Sequence, residues 1–111
     1  MPLSTSLKNE ENERINNILK QLVALAFLPE PNYDELLGQL ALTSSDLETF
    51  SSYDLIAHLA KLHFDFTNAE TFADFLASVG QKQKAIELYE YIQLESQTFS
   101  FAIMNKVNGL R

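Results

Sequence analysis

The side chains best suited to chemistry in this sequence are two histidines, His58 and His63, and a carboxylate one turn before the first, Asp54. A metal-binding pair on a helix sits at i and i+4. Five steps turn the two rings about 140° apart, so His58 and His63 do not share a face. Asp54 and His58 do share one, and they would supply two metal ligands or an acid–base pair. The sequence places no third ligand beside them, and the expected arrangement is a solvent-side helix pair.

Other catalytic constellations are missing. Ser44, Ser45, Ser51, Ser52, Ser96 and Ser100 precede predicted helices, where hydroxyls satisfy free amides. None sits in a Gly-x-Ser-x-Gly elbow, and three scattered glycines cannot form a phosphate loop. The chain has no cysteine, which excludes a thiolate nucleophile, a thiolate metal site and any disulfide. Glu87, Glu90 and Glu95 fall beside Lys82 and Lys84, the pattern of a solvated helix face. No catalytic residue, cofactor or metal is therefore expected, and the chain does not read as an enzyme.

Binding residues are easier to nominate. Tyr89 shares a helical stripe with Ala85 and Ile92 and is expected in the core with its hydroxyl at an edge. Tyr91 falls off that stripe and is expected to be exposed alongside Leu94 or Phe101. Exposed aromatics are enriched at interfaces, so Tyr91 and Phe101 are candidate partner-binding residues.

Charge supplies a second set. The net charge is −7, and residues 1–55 carry nine acids against three bases. Such a field repels phosphate, which argues against nucleic acid and anionic membrane surfaces as partners. Glu10, Glu11 and Glu13 concentrate that charge, and a small acidic inhibitor or immunity-type protein that neutralises a basic partner is the alternative to a general interaction module. The first residues lack a charged-then-apolar signal pattern. The longest apolar run, Leu22 to Leu28, is far short of the roughly 20 residues that span a bilayer. A soluble, cytoplasmic protein is expected.

The elements that would position these residues are helices. The chain has 111 residues with three Gly, three Pro, eight Phe and no Trp, which favours one helical domain around a phenylalanine-rich core. After a frayed segment through residue 6, Ser6 is expected to cap a helix from Leu7 to Phe27. Its apolar stripe (Ile15, Ile18, Leu19, Leu22, Val23, Leu25, Phe27) is wider than one packing face requires. Two alternatives stand: a helix sandwiched inside its own subunit, or a homodimer seam through residues 15–27. Pro29 and Pro31 stop this helix. A second begins near Asn32 and contains Gly38, which would mark a close helix contact. Ser45-Asp46-Leu47-Glu48 has capping-box spacing before a short turn through Phe50. Ser51 or Ser52 then starts a helix over Tyr53–His63. Phe64 and Phe66 are expected to plug the space beneath the next two helices, and Thr98 to cap a last helix, Phe99–Asn108.

Between them, residues 67–96 predict two antiparallel helices. Thr67 and Glu70 have capping-box spacing, Phe72, Phe75, Leu76 and Val79 line one face, and Gly80 fits a left-handed helix end. Ala85, Leu88, Tyr89 and Ile92 line the second helix. This stretch resembles one tetratricopeptide repeat. Ala73 and Ala85 match its small positions, Gly80 its turn and Tyr89 an aromatic position, while Ile92 and Gln97 depart from the pattern. The layout also resembles small bacterial proteins that end in such a hairpin. The repeat resemblance implies binding of peptides or partner helices. The sequence thus predicts an all-α, single-domain bundle of five or six short helices with a tetratricopeptide-like hairpin, acting by protein–protein contact through a partner it does not identify.

Overall fold

The computed structural model describes residues 3–28, 32–97 and 100–111, with side chains from Glu10 onward. The described residues form seven helices and no strand: α1 (Leu3–Leu25), α2 (Asp34–Gly38), α3 (Ser44–Thr49), α4 (Ser52–Lys61), α5 (Phe66–Ser78), α6 (Lys82–Ser96) and α7 (Phe101–Leu110). The expected short turn before Phe50 is itself the helix α3, which accounts for the seventh. Pairing is most extensive between α5 and α6. Helix α1 lies against α5 and α2, while α4 and α7 flank α6. Buried residues from every helix join one cluster, with Phe72, Phe75, Leu76, Leu88 and Tyr89 of the hairpin among its members.

The wide stripe of α1 is largely used inside the subunit. Ile15, Ile18, Leu19 and Leu22 are buried, whereas Phe27 and Leu28 stand exposed beyond the helix end. Helix α1 begins at Leu3, not after residue 6, so Ser6 is not its cap. Nothing between Leu3 and Asn9 breaks a helix, and propagating a formed helix costs little per added residue. Residues 1 and 2 lie outside the described set.

Three helix ends share one geometry. At Gly80 (φ 88°) the amide of Gln81 bonds Leu76 O at 2.8 Å and that of Gly80 bonds Ala77 O at 3.4 Å, the paired bonds of a Schellman motif. The same pair recurs after α4, with His63 at φ 61° between Phe64 N→Leu59 O and His63 N→Ala60 O. It recurs again after α2, with Ala41 at φ 58° between Leu42 N→Leu37 O and Ala41 N→Gly38 O. Only the first uses glycine. Gly38, expected at a close contact, is exposed, and a Cβ built there meets nothing within 4 Å. Its place is the last turn of α2, and the left-handed residue that reverses the chain is Ala41. Because a side chain at that φ costs roughly 1–2 kcal/mol, partly offset by glycine's backbone entropy, Ala41→Gly is expected to stabilise by about 0.5–1 kcal/mol. An unchanged or lower urea midpoint would show that Ala41 does not hold this conformation in solution.

Local competition decided the caps. Asp65, not Thr67, caps α5, its carboxylate accepting from Asn68 N at 2.7 Å. Glu70 is thereby released from the expected box. Thr43 and Asp46 form a full capping box on α3 in place of Ser45 and Glu48, and Ser51 caps α4. Helix α2 has no side-chain cap; Asn32 Oδ1 instead accepts from Asp34 N at 3.1 Å. Ser100 caps α7, which starts two residues later than expected, while Thr98 and Phe99 lie outside the described residues.

Candidate functional site

A cleft of about 360 Å³ opens between α1, α4, the start of α5 and α6. Leu59, Ala69 and Leu88 form its buried floor, and Ile56, Phe64, Phe66 and Tyr91 its walls. The polar groups at its rim are Asn12, His63 and Asp65. Each wall is placed by a local rule. Tyr91 follows Leu88 by three residues on α6 and so sits over the floor. The left-handed turn at His63 swings the chain so that Phe64 meets Phe72 edge-on, with ring centroids 6.1 Å apart at 83°, while Phe66 stays partly exposed. Phe64 thus plugs the hairpin as expected, and Phe66 faces the cleft.

A polar pin holds α1 beside this cleft. Asn68, the one buried polar residue among the described side chains, donates through Nδ2 to Asn12 O (3.3 Å) and accepts at Oδ1 from Asn16 Nδ2 (3.2 Å). Buried amide groups left unpaired are costly, so these bonds fix the position of α1 on α5.

On the opposite side of α6 a charged cluster joins α7 to α5. Lys106 Nζ lies 2.6 Å from Glu70 Oε2 and 3.1 Å from Asp74 Oδ1. The Tyr89 hydroxyl donates to Asp74. Burial, then the Asp74 hydrogen bond, push the pKa of Tyr89 up. For Lys106, burial alone would lower the pKa, but the bonds to Glu70 and Asp74 outweigh it and the net shift is upward. A raised folded-state pKa contributes stability that is present below the unfolded value and lost as pH rises through the folded one. Both groups act in the same direction, so stability is expected to fall above about pH 10. Urea unfolding at about pH 8 and about pH 11 tests this; Tyr89→Phe should show the smaller alkaline loss. Equal losses in the two proteins would assign the effect elsewhere.

The residues nominated from the sequence are dispersed. Tyr91 lines the cleft, whereas Phe101, 74% exposed at the start of α7, is not among its lining residues. Glu10 and Glu13 are exposed on α1, and Glu11 pairs with Arg14 at 3.0 Å. His58 is turned away from Asp54's solvent face. Its Nε2 lies 2.9 Å from Leu40 O and its ring packs on Phe50, which corrects the solvent-side pair. His63 serves as a helix-end residue. Lys84 reaches the C-terminal carbonyls of α3 at Leu47 and Glu48, a favourable place for a cation, and Glu87 accepts from Ser52. No group of three His, Asp or Glu that could hold a metal ion occurs among the described residues. No described helix is long and apolar enough to cross a membrane.

The cleft walls Ile56, Ala60, Phe64 and Phe66 escaped nomination. The alternating His63-Phe64-Asp65-Phe66 segment held the available signal, since alternation outside a strand leaves one aromatic of the two without a core position.

No family model, curated protein or solved structure matches this chain.

Proposed function

We propose that this chain is a non-catalytic protein–protein interaction module working in the cytoplasm, and that the cleft between α4 and α6 receives its partner. The observation that carries this reading is the cleft itself. An apolar floor and aromatic walls open to solvent with few polar groups at the rim, the composition of a pocket for a hydrophobic anchor. The occupant is a partner segment bearing one bulky apolar side chain with a basic residue beside it. Asp65 at the rim and the −7 charge of the chain favour a cation there and disfavour an acidic segment. The tetratricopeptide-like spacing of Ala73, Gly80, Ala85 and Tyr89 supports the same reading, because that family binds peptides and helices. The cysteine-free composition supports a reducing compartment.

Ala60 is exposed on α4 at the cleft wall, so Ala60→Glu puts a charge into the pocket without touching the core. Against a purified partner, Ala60→Glu is expected to weaken binding by at least about tenfold with an unchanged circular dichroism spectrum. Equal affinity for both proteins would overturn the cleft as the docking site.

A second reading has its own observation. Glu10 and Glu13 are exposed and Glu11 half-exposed on one turn of α1, with Arg14 as the neighbouring base. An inhibitor that neutralises a basic partner through these acids would lose affinity steeply with added salt and on charge reversal at Glu10 and Glu13. A cleft-bound partner would respond weakly to both.

A further inference from the structure

At the far end of α1 the chemistry of the surface changes. From Gln21 to Leu28 the chain carries no ionisable side chain, and none occurs from Leu36 to Ser45. The fold brings the two uncharged runs together. Gln21, Ala24, Leu25 and Leu28 line a shallow depression of about 350 Å³ with Leu36 of α2. Beside it stands Phe27, 81% exposed, on a turn held by Phe27 N→Ala24 O (3.2 Å) and Leu28 N→Leu25 O (3.0 Å). A projecting aromatic ring and an apolar hollow of side-chain size thus occur in one patch.

We infer that this patch joins two copies of the chain, with Phe27 of each copy entering the Leu25–Leu28–Leu36 hollow of the other about a two-fold axis. Two arguments select a second copy over another occupant. The first is shape: an isologous contact needs a surface complementary to itself, and a knob beside its own hole meets that need. The second is charge. Two copies each carrying −7 repel, and they can meet closely only where neither presents a charge. The lining of the hollow contains no acid or base. A basic partner, which the rest of the surface attracts, finds no carboxylate in this lining. A contact centred on one ring and one shallow hollow belongs with weak, concentration-dependent interfaces.

The surface shares no residue with the α4–α6 cleft. The two assignments therefore fail independently. Sedimentation of the purified chain at rising concentration should show the mass climbing from 12.6 kDa towards twice that value. Raising salt should leave the association intact or strengthen it, since screening reduces the repulsion between like-charged copies. Phe27→Glu should remain monomeric throughout, with its unfolding midpoint unchanged because the ring it replaces is solvent-exposed in the monomer. Ala60→Glu should dimerise like the wild type. A wild-type chain that stays at 12.6 kDa, association abolished by salt, or a Phe27→Glu variant that dimerises as well as the wild type would each overturn the inference.

Discussion

Phe72→Ala is expected to remove about 3–5 kcal/mol of stability. Phe72 is fully buried in α5 and meets Phe75 at 5.9 Å and Phe64 at 6.1 Å between ring centroids. Cutting it to a methyl group removes the packing partner of two further rings. The hole cannot close by moving one helix, because α5 is held on one side by α6 and on the other by α1. Denaturant unfolding followed by circular dichroism measures the effect. A loss below about 1 kcal/mol would mean that the aromatic cluster repacks freely, and the close-packed core described above would be wrong.

Ala85→Leu should destabilise by about 1–3 kcal/mol for the opposite reason. Ala85 on α6 and Ala73 on α5 are both fully buried, on the two helices with the most extensive mutual packing. A leucine at position 85 adds three carbons at a fully buried position. The helices must then separate, or the side chain must leave its preferred rotamer. A variant as stable as the wild type would show that the two backbones do not approach each other at this position. The two substitutions probe one core from both sides, by removing volume and by adding it. A loosely packed interior would tolerate each.

The shared geometry at three helix ends bears on the two proposed surfaces. The Schellman turn at His63 sends Phe64 inward and leaves Phe66 at the cleft. The same turn at Ala41 brings both flanking leucines, Leu40 and Leu42, into the core. Helix ends in this protein therefore do more than stop helices; they set which apolar side chains enter the core and which remain outside it.

Much of the architecture was legible in order along the chain. Spacing of three and four residues marked the buried faces of α4, α5 and α6, and Leu55, Leu59, Phe72, Phe75, Leu76, Ala85, Leu88, Tyr89 and Ile92 are all buried as their periodicity predicts. Gly80 was recognisable as a left-handed helix end because glycine alone takes that backbone without cost. These features depend on residues within one or two turns of each other, and the sequence contains that information directly. The composition likewise determined that thiol chemistry is absent and that the surface is acidic.

Tertiary structure decided the rest. Asp65 and Thr67 could each cap α5, and local capping energies differ by too little to choose; the winner is the start that also seats Asn68 between α1 and α5. Ala41 and His63 bear no mark of a positive φ in the sequence, since only packing of the helices they connect holds them there. The cleft and the uncharged hollow are each built from segments distant along the chain, Asn12 with Tyr91 in one and Gln21 with Leu36 in the other. Periodicity says which face of a helix avoids water. Whether that face is covered by its own subunit, as at Ile15 and Leu22, or left open, as at Phe27, depends on how the helices are placed against each other.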